Sequence, residues 1–207
     1  MSAPPVKAVL FDFDGVLTTG KTGSLTTTRY LSARTGIELS RVQSVFRRHN
    51  SDLTLGKTTH ERIWGEICQA LRQEINIDLL REAFESTPLN MRMFDLARSL
   101  RASYRVGIVT DNKKDRIDLL KEMHNLPSLF DPIVVSAEVG SGKDDPRIFL
   151  EALDRLGIKP RECVFIDNNR ENLDAPKSLG INTLYFDDEK QDFNALLAQL
   201  GDMNVYA

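Results

Sequence analysis

The chain has 207 residues, 41% hydrophobic and 28% charged, with a formal net charge of -3. That apolar content suffices for a full core. A mildly acidic chain is not built to grip polyanions, and no apolar run approaches the roughly 18 residues that span a bilayer, so neither nucleic acid nor membrane is an expected partner.

The start, MSAPPVK, lacks the charged and then apolar pattern of a leader, and the cytoplasm is the expected location. Val6 to Leu17 (VKAVLFDFDGVL) follows, in which a short apolar run reads as a buried strand. The strand delivers Asp12 and Asp14 at its carboxyl end, before Gly15 lets the backbone turn. Thr18 to Gly23 reads as a flexible exit from the core, a candidate hinge. From Ser24 to about Thr87 only helical patterns occur, with capping boxes expected at Ser40/Gln43 and Thr58/Glu61. Ile63, Ile67 and Leu71 line one helix face and Leu79, Leu80, Ala83 and Phe84 another, while Pro88 marks the return of the chain.

From Met91 onward helix and strand alternate. Strands are expected at Arg105 to Thr110, Pro132 to Ser136, Glu162 to Asp167 and Asn182 to Phe186, with a helix between each pair. Gly157 and Gly180 close two of those helices. Such alternation implies right-handed crossovers and a parallel sheet covered on both faces. The expected fold is a three-layer, Rossmann-like α/β core formed by residues 1–20 and 88–207, with an all-helical cap over residues 21–87. Cys68 and Cys163 fit isolated reduced thiols rather than a disulfide framework.

In an open parallel sheet the ligand site lies beyond the carboxyl ends of the strands. There the sequence places Asp12 and Asp14, then Thr110, Asp111 and Asn112, then Asp167 and Asn168, and in a loop Lys143. One rim thus offers carboxylates for a hard divalent cation, a hydroxyl, and a lysine for an anion.

FDFDGVL, IVT ending at Thr110, Lys143 within GSGKDDPRIF, and VFIDNNREN occur in that order, and with the segment LGKTTHERIW the chain resembles the haloacid dehalogenase-like (HAD) hydrolases with a small helical cap. The resemblance implies Asp12 as nucleophile, Asp14 as general acid and base, and Thr110 and Lys143 as ligands of the phosphoryl group. It implies Mg2+ held by Asp12, the Asp14 carbonyl and the side chains of Asp167 and Asn168. Asp111 stands where the family often has asparagine and is a candidate pocket contact. Lys57, in a cap loop, is a candidate for specificity. Two departures stand out: Asn168 replaces a common second acid, which predicts weaker Mg2+ binding, and Asp144 replaces a usual proline.

The expected activity is a Mg2+-dependent phosphoric monoester hydrolase working through an aspartyl-phosphate on a small phosphorylated metabolite, as a monomer or homodimer. The alternatives are a haloacid dehalogenase, a phosphoglucomutase-type enzyme, or a catalytically weakened regulatory module that binds phosphate esters. Asp14 argues against the dehalogenase, which needs no acid two residues beyond its nucleophile.

Overall fold

The structure, a computed structural model, describes residues 4–206; residues 1–3, part of the start read above for a leader, lie outside it. The first strand, β1 (Ala8–Phe11), runs into a single wide turn over Phe13–Leu17, closed by the Thr18 N–H donating to the Phe13 carbonyl at 3.0 Å. Four helices follow before the bridge at Leu89: α1 (Gly23–Thr35), α2 (Leu39–Thr54), α3 (His60–Leu71) and α4 (Asp78–Glu85). Their apolar faces meet in a cluster of their own, including Leu31, Val42, Ile67, Leu80 and Ala83. Trp64 packs there and donates its indole N–H to the Ile75 carbonyl at 2.7 Å, the partner a buried tryptophan requires.

The exit from β1 is less free than its composition suggests. Thr18 is fully buried and bridges antiparallel to Leu89, and the Thr19 N–H donates to the Pro88 carbonyl at 3.0 Å. The outgoing and returning linkers are therefore tied together at the core surface. Both expected capping boxes also shift. Glu38 caps α2, its carboxylate accepting from the Ser40 and Arg41 N–H groups, and Thr59 caps α3, accepting from the Arg62 N–H. In each case a neighbouring side chain able to reach orphan amides outcompetes the residue the spacing selected.

The remainder alternates as α5 (Met91–Leu100), β2 (Arg105–Thr110), α6 (Lys114–Met123), β3 (Ile133–Val135), α7 (Ser136–Val139), α8 (Pro146–Leu156), β4 (Cys163–Asp167), α9 (Asp174–Leu179), β5 (Asn182–Tyr185) and α10 (Phe193–Asp202). The short α7 was not anticipated. All strands are parallel in the order β3-β2-β1-β4-β5. Alternate residues of β1 point to opposite faces. Val9 and Phe11 pack with Ile117 and Leu120 of α6, and Ala8 and Leu10 with Ile148 and Phe149 of α8, so the expected three-layer α/β fold is found. Among the described residues no helix is long and apolar enough to cross a membrane.

Register decides what the site must contain. Phe11 is level with both Ile108 and Ile166, so Asp12 and Asp167 leave neighbouring strands side by side.

Phe149 meets Phe165 edge-on at 5.0 Å between ring centroids, both side chains fully buried. Phe149→Ala is expected to lower unfolding stability in urea by about 3–5 kcal/mol. Leu150→Ala, at a neighbouring residue that is 48% exposed, should cost under about 1 kcal/mol.

Candidate active site

The site begins with the turn after β1. Asp12 is buried, with Oδ1 accepting the Phe13 N–H at 2.7 Å and Oδ2 lying 2.7 Å from Lys143 Nζ. Gly15 takes a φ of +82°, and the Asn168 side-chain amide lies so close to it that a Cβ would collide. The sharp turn and the approach of Asn168 both require glycine at this place.

Lys143 Nζ also lies 2.6 Å from Asp167 Oδ2, with Lys143 2% and Asp167 0% exposed. Burial alone would lower the Lys143 ammonium, but Asp12, Asp167 and Asp111 outweigh it and hold the group above the usual lysine range. Burial pushes the Asp12 carboxyl up to about 8; Lys143 opposes the rise while Asp167 and Asp14 reinforce it. One ammonium is thus set against two buried carboxylates, and the shortfall of positive charge falls on Asp12.

The remaining acceptors of Asp167 are taken by the Asn169 N–H at 2.7 Å and the Asn172 side-chain amide at 3.2 and 3.3 Å. Asp111 is half-buried and accepts the Lys143 N–H at 3.0 Å, pinning the lysine loop from below. Burial raises its carboxyl, against the pull of Lys143.

A cavity of about 970 Å³ lies between the helices α1–α4 and the carboxyl rim of the sheet. Its walls include Asp12, Asp14, Lys143 and Asn168 from the core and Ser24, Thr28, Arg47 and Asn50 from the helices. The first turn of α6 joins the two sides. Lys113, just before that helix, donates to Ser24 Oγ at 3.0 Å, and burial, helped by Arg116, lowers its ammonium to about 8. Asp115 Oδ2 lies 2.7 Å from His60 Nδ1, and although burial would raise its carboxyl, His60 holds it below the ordinary carboxylate range. Arg116, 1% exposed, donates from both terminal nitrogens to the two oxygens of Asp14 at 2.8 Å.

Of the residues singled out from sequence, the structure brings Asp12, Asp14, Lys143, Asp111 and Asn168 to the cavity. Thr110 sits at the end of β2, buried, with a hydroxyl that has no hydrogen-bond partner among the described residues. Asp167 lies behind Lys143 rather than on the cavity wall, because its carboxylate is drawn to the lysine. Lys57 is exposed, pairs with Asp52 at 3.5 Å and is not among the residues lining the cavity. Sequence reasoning placed Asn112 at the rim without a role for it, and missed Arg116 and Asn172. Asn112 precedes the cap of α6 and Arg116 lies in its first turn, and no local pattern pairs them.

Residues 6–180 match the haloacid dehalogenase-like hydrolases. The chain is 31% identical over 83 residues to pyrophosphatase PpaX of Bacillus velezensis, a match covering 40% of this chain and 38% of that protein. The chain spans less than half the length of the first curated relatives it matches. Among solved structures it is similar to a HAD-like family hydrolase from Porphyromonas gingivalis, with TM-score 0.75 and 22% identity, covering 95% of this chain and 98% of that one. A HAD family enzyme from Bacteroides thetaiotaomicron, solved in complex with magnesium and inorganic phosphate, gives TM-score 0.71 at 20% identity, covering 92% and 98%.

Removing Lys143 leaves Asp12 and Asp167 adjacent, buried and uncompensated. Lys143→Met is expected to destabilise the fold by about 3–5 kcal/mol in urea unfolding. Adding Asp167→Asn should restore part of that loss, because the two side chains are in contact and their effects do not add.

Proposed function

Because the chain belongs to the haloacid dehalogenase-like hydrolases, we propose that it is a Mg2+-dependent phosphatase that cleaves small phosphoric monoesters through an aspartyl-phosphate on Asp12. The observation that carries this reading is Asp12, short of positive charge beside Lys143, with a second carboxylate, Asp14, two residues on in the same cavity. The likeness to PpaX and to the Bacteroides enzyme that binds magnesium and phosphate supports it.

The residues present fit a hard cation. The candidate donors are all oxygens, namely the Asp12 carboxylate, the Asp14 backbone carbonyl and the Asn168 amide oxygen, and a cation at Asp12 would offset the penalty that raises its carboxyl. Bound there, Mg2+ would supply charge neutralisation to the attacking carboxylate and the phosphoryl oxygens. Asp167, which the resemblance also assigns to the metal, lies beside Lys143 and Asp12 and would complete the donor set.

In the first step an Asp12 oxygen attacks phosphorus and the bond to the leaving oxygen breaks, with Asp14 giving that oxygen a proton. In the second, water attacks phosphorus, Asp14 takes its proton, and the bond between Asp12 and phosphorus breaks to release inorganic phosphate. Lys143 stays beside the nucleophile throughout and offsets developing charge, and the partnerless Thr110 hydroxyl is the donor set aside for a phosphoryl oxygen. The helices over residues 21–87 act as a cap that excludes water and selects the substrate. A cavity of about 970 Å³ with Asp12, Asp14 and Lys143 at its core end suits a small phosphorylated metabolite.

The wild-type protein is expected to hydrolyse p-nitrophenyl phosphate with Mg2+, to stop on addition of EDTA, and to recover with excess Mg2+. Asp12→Asn should reduce kcat by at least about a thousandfold, and robust turnover by that variant would sink the mechanism. Asn168→Asp should lower the Mg2+ concentration for half-maximal rate by about tenfold, since a carboxylate replaces a neutral donor. An unchanged Mg2+ requirement would remove Asn168 from the donor set.

A further inference from the structure

Asp14 is held by a residue that no strand-end motif contains. Arg116 grips it as a fork, Nη1 to Oδ2 and Nη2 to Oδ1, each at 2.8 Å. Asn112 Nδ2 donates to Oδ2 at 3.1 Å, and its own Oδ1 accepts from Arg116 Nη1 at 3.0 Å, which fixes the amide's orientation. A carboxylate offers about four acceptor positions. Three are filled, two of them on Oδ2, so the one left lies on Oδ1 of a side chain that lines the cavity.

The guanidinium is itself held by both linkers to the helices α1–α4. Arg116 Nη2 donates to Thr87 Oγ1 at 3.2 Å, at the end of the returning segment. On the outgoing side the guanidinium lies against Gly23, the first residue of α1, so closely that a Cβ there would meet it. Its stem is anchored on α6, and the Phe13 ring lies 5.9 Å from the guanidinium carbon. The group that orients Asp14 is thus braced where the cap joins the core.

We infer that Arg116 is a positioning residue for proton transfer: with Asn112 it reserves a single working oxygen, Asp14 Oδ1, and through Thr87 and Gly23 it ties that oxygen's placement to the position of the cap. This rests on the phosphatase reading above. Lysine cannot reproduce the role, because a point charge on a flexible stem makes no planar fork. Loss of the fork lets the carboxylate rotate, and proton transfer to the leaving oxygen suffers in proportion to how much that oxygen needs the proton.

The leaving-group dependence of kcat/KM tests this, because that parameter reports on the enzyme up to the first irreversible step, formation of the phosphoenzyme. A series of aryl phosphates from p-nitrophenyl to phenyl, extended to an alkyl phosphate, is measured with wild type, Arg116→Met, Arg116→Lys, Gly23→Ala and Asp14→Asn at saturating Mg2+. General acid help is worth about 10²–10⁴-fold where the leaving group is basic and little where it is acidic. Arg116→Met and Arg116→Lys are expected to lose at least about tenfold more on the alkyl phosphate than on p-nitrophenyl phosphate, steepening the dependence toward that of Asp14→Asn. Gly23→Ala, which displaces the guanidinium without touching Asp14, should steepen it in the same direction.

Equal losses across the series, or a rise in KM with the slope unchanged, would assign Arg116 to stability or substrate binding and overturn the proposal. If Arg116→Met does not fold by circular dichroism, Arg116→Lys and Gly23→Ala decide alone, and unchanged slopes in both overturn it. Failure of the wild type to hydrolyse any member of the series would instead reject the phosphatase reading.

Discussion

One ammonium group, Lys143 Nζ, lies 2.7 Å from Asp12 and 2.6 Å from Asp167, and all three side chains are buried. The requirement for it follows from the sheet. Parallel pairing with Phe11 level with Ile166 puts the next residues of β1 and β4 side by side, and both are aspartates. Desolvation of each charge costs several kcal/mol, which only a close and well-placed counter-ion offsets. The loop that brings the lysine is accordingly fastened at both ends: Asp111 accepts the Lys143 N–H, and Asp145 caps α8, its carboxylate accepting the Arg147 N–H at 2.9 Å. Asp144, where proline is usual, leaves the lysine in place, so that departure does not disturb the ion pair.

Around this fixed centre the structure places a second set of contacts with a different task. Lys113, Asp115 and Arg116 each reach from the start of α6 to the helices on the far side of the cavity or their linkers, at Ser24, His60 and Thr87. Ser136, at the start of α7, adds a hydroxyl that donates to the Thr54 carbonyl at 2.8 Å. Asp12 is held by the turn after β1 and by Lys143, whereas Asp14 is held by residues at the start of α6 that also contact the helices α1–α4 or their linkers. A rigid Asp12 with an Asp14 answerable to the linkers suits a reaction in which attack needs alignment and proton transfer needs a closed, dry site.

Much of this was legible in the sequence, for identifiable reasons. The apolar runs of β1, β2 and β4 end in Asp12, Thr110 and Asp167, and short continuous apolar runs with abrupt polar stops mark both strand and rim. Lys143 could be read because its motif falls in order between the others. Arg116 could not: from sequence it is one basic residue among several in KKDRIDLLKE, and what distinguishes it is tertiary, namely its burial and its meeting with a carboxylate 102 positions away. For Lys57, local composition places it in a loop but not on which side of it the cavity lies. The caps moved by one or two residues because Glu38 and Thr59 compete for the same amides, and spacing alone does not rank the competitors.

The central claim is that Asp12 itself carries the phosphoryl group between two in-line displacements. The most direct measurement is the stereochemical course of hydrolysis of a phosphate monoester made chiral at phosphorus with oxygen isotopes. Two displacements through Asp12 predict net retention of configuration in the inorganic phosphate released. Net inversion, the signature of direct attack by water, would contradict the account.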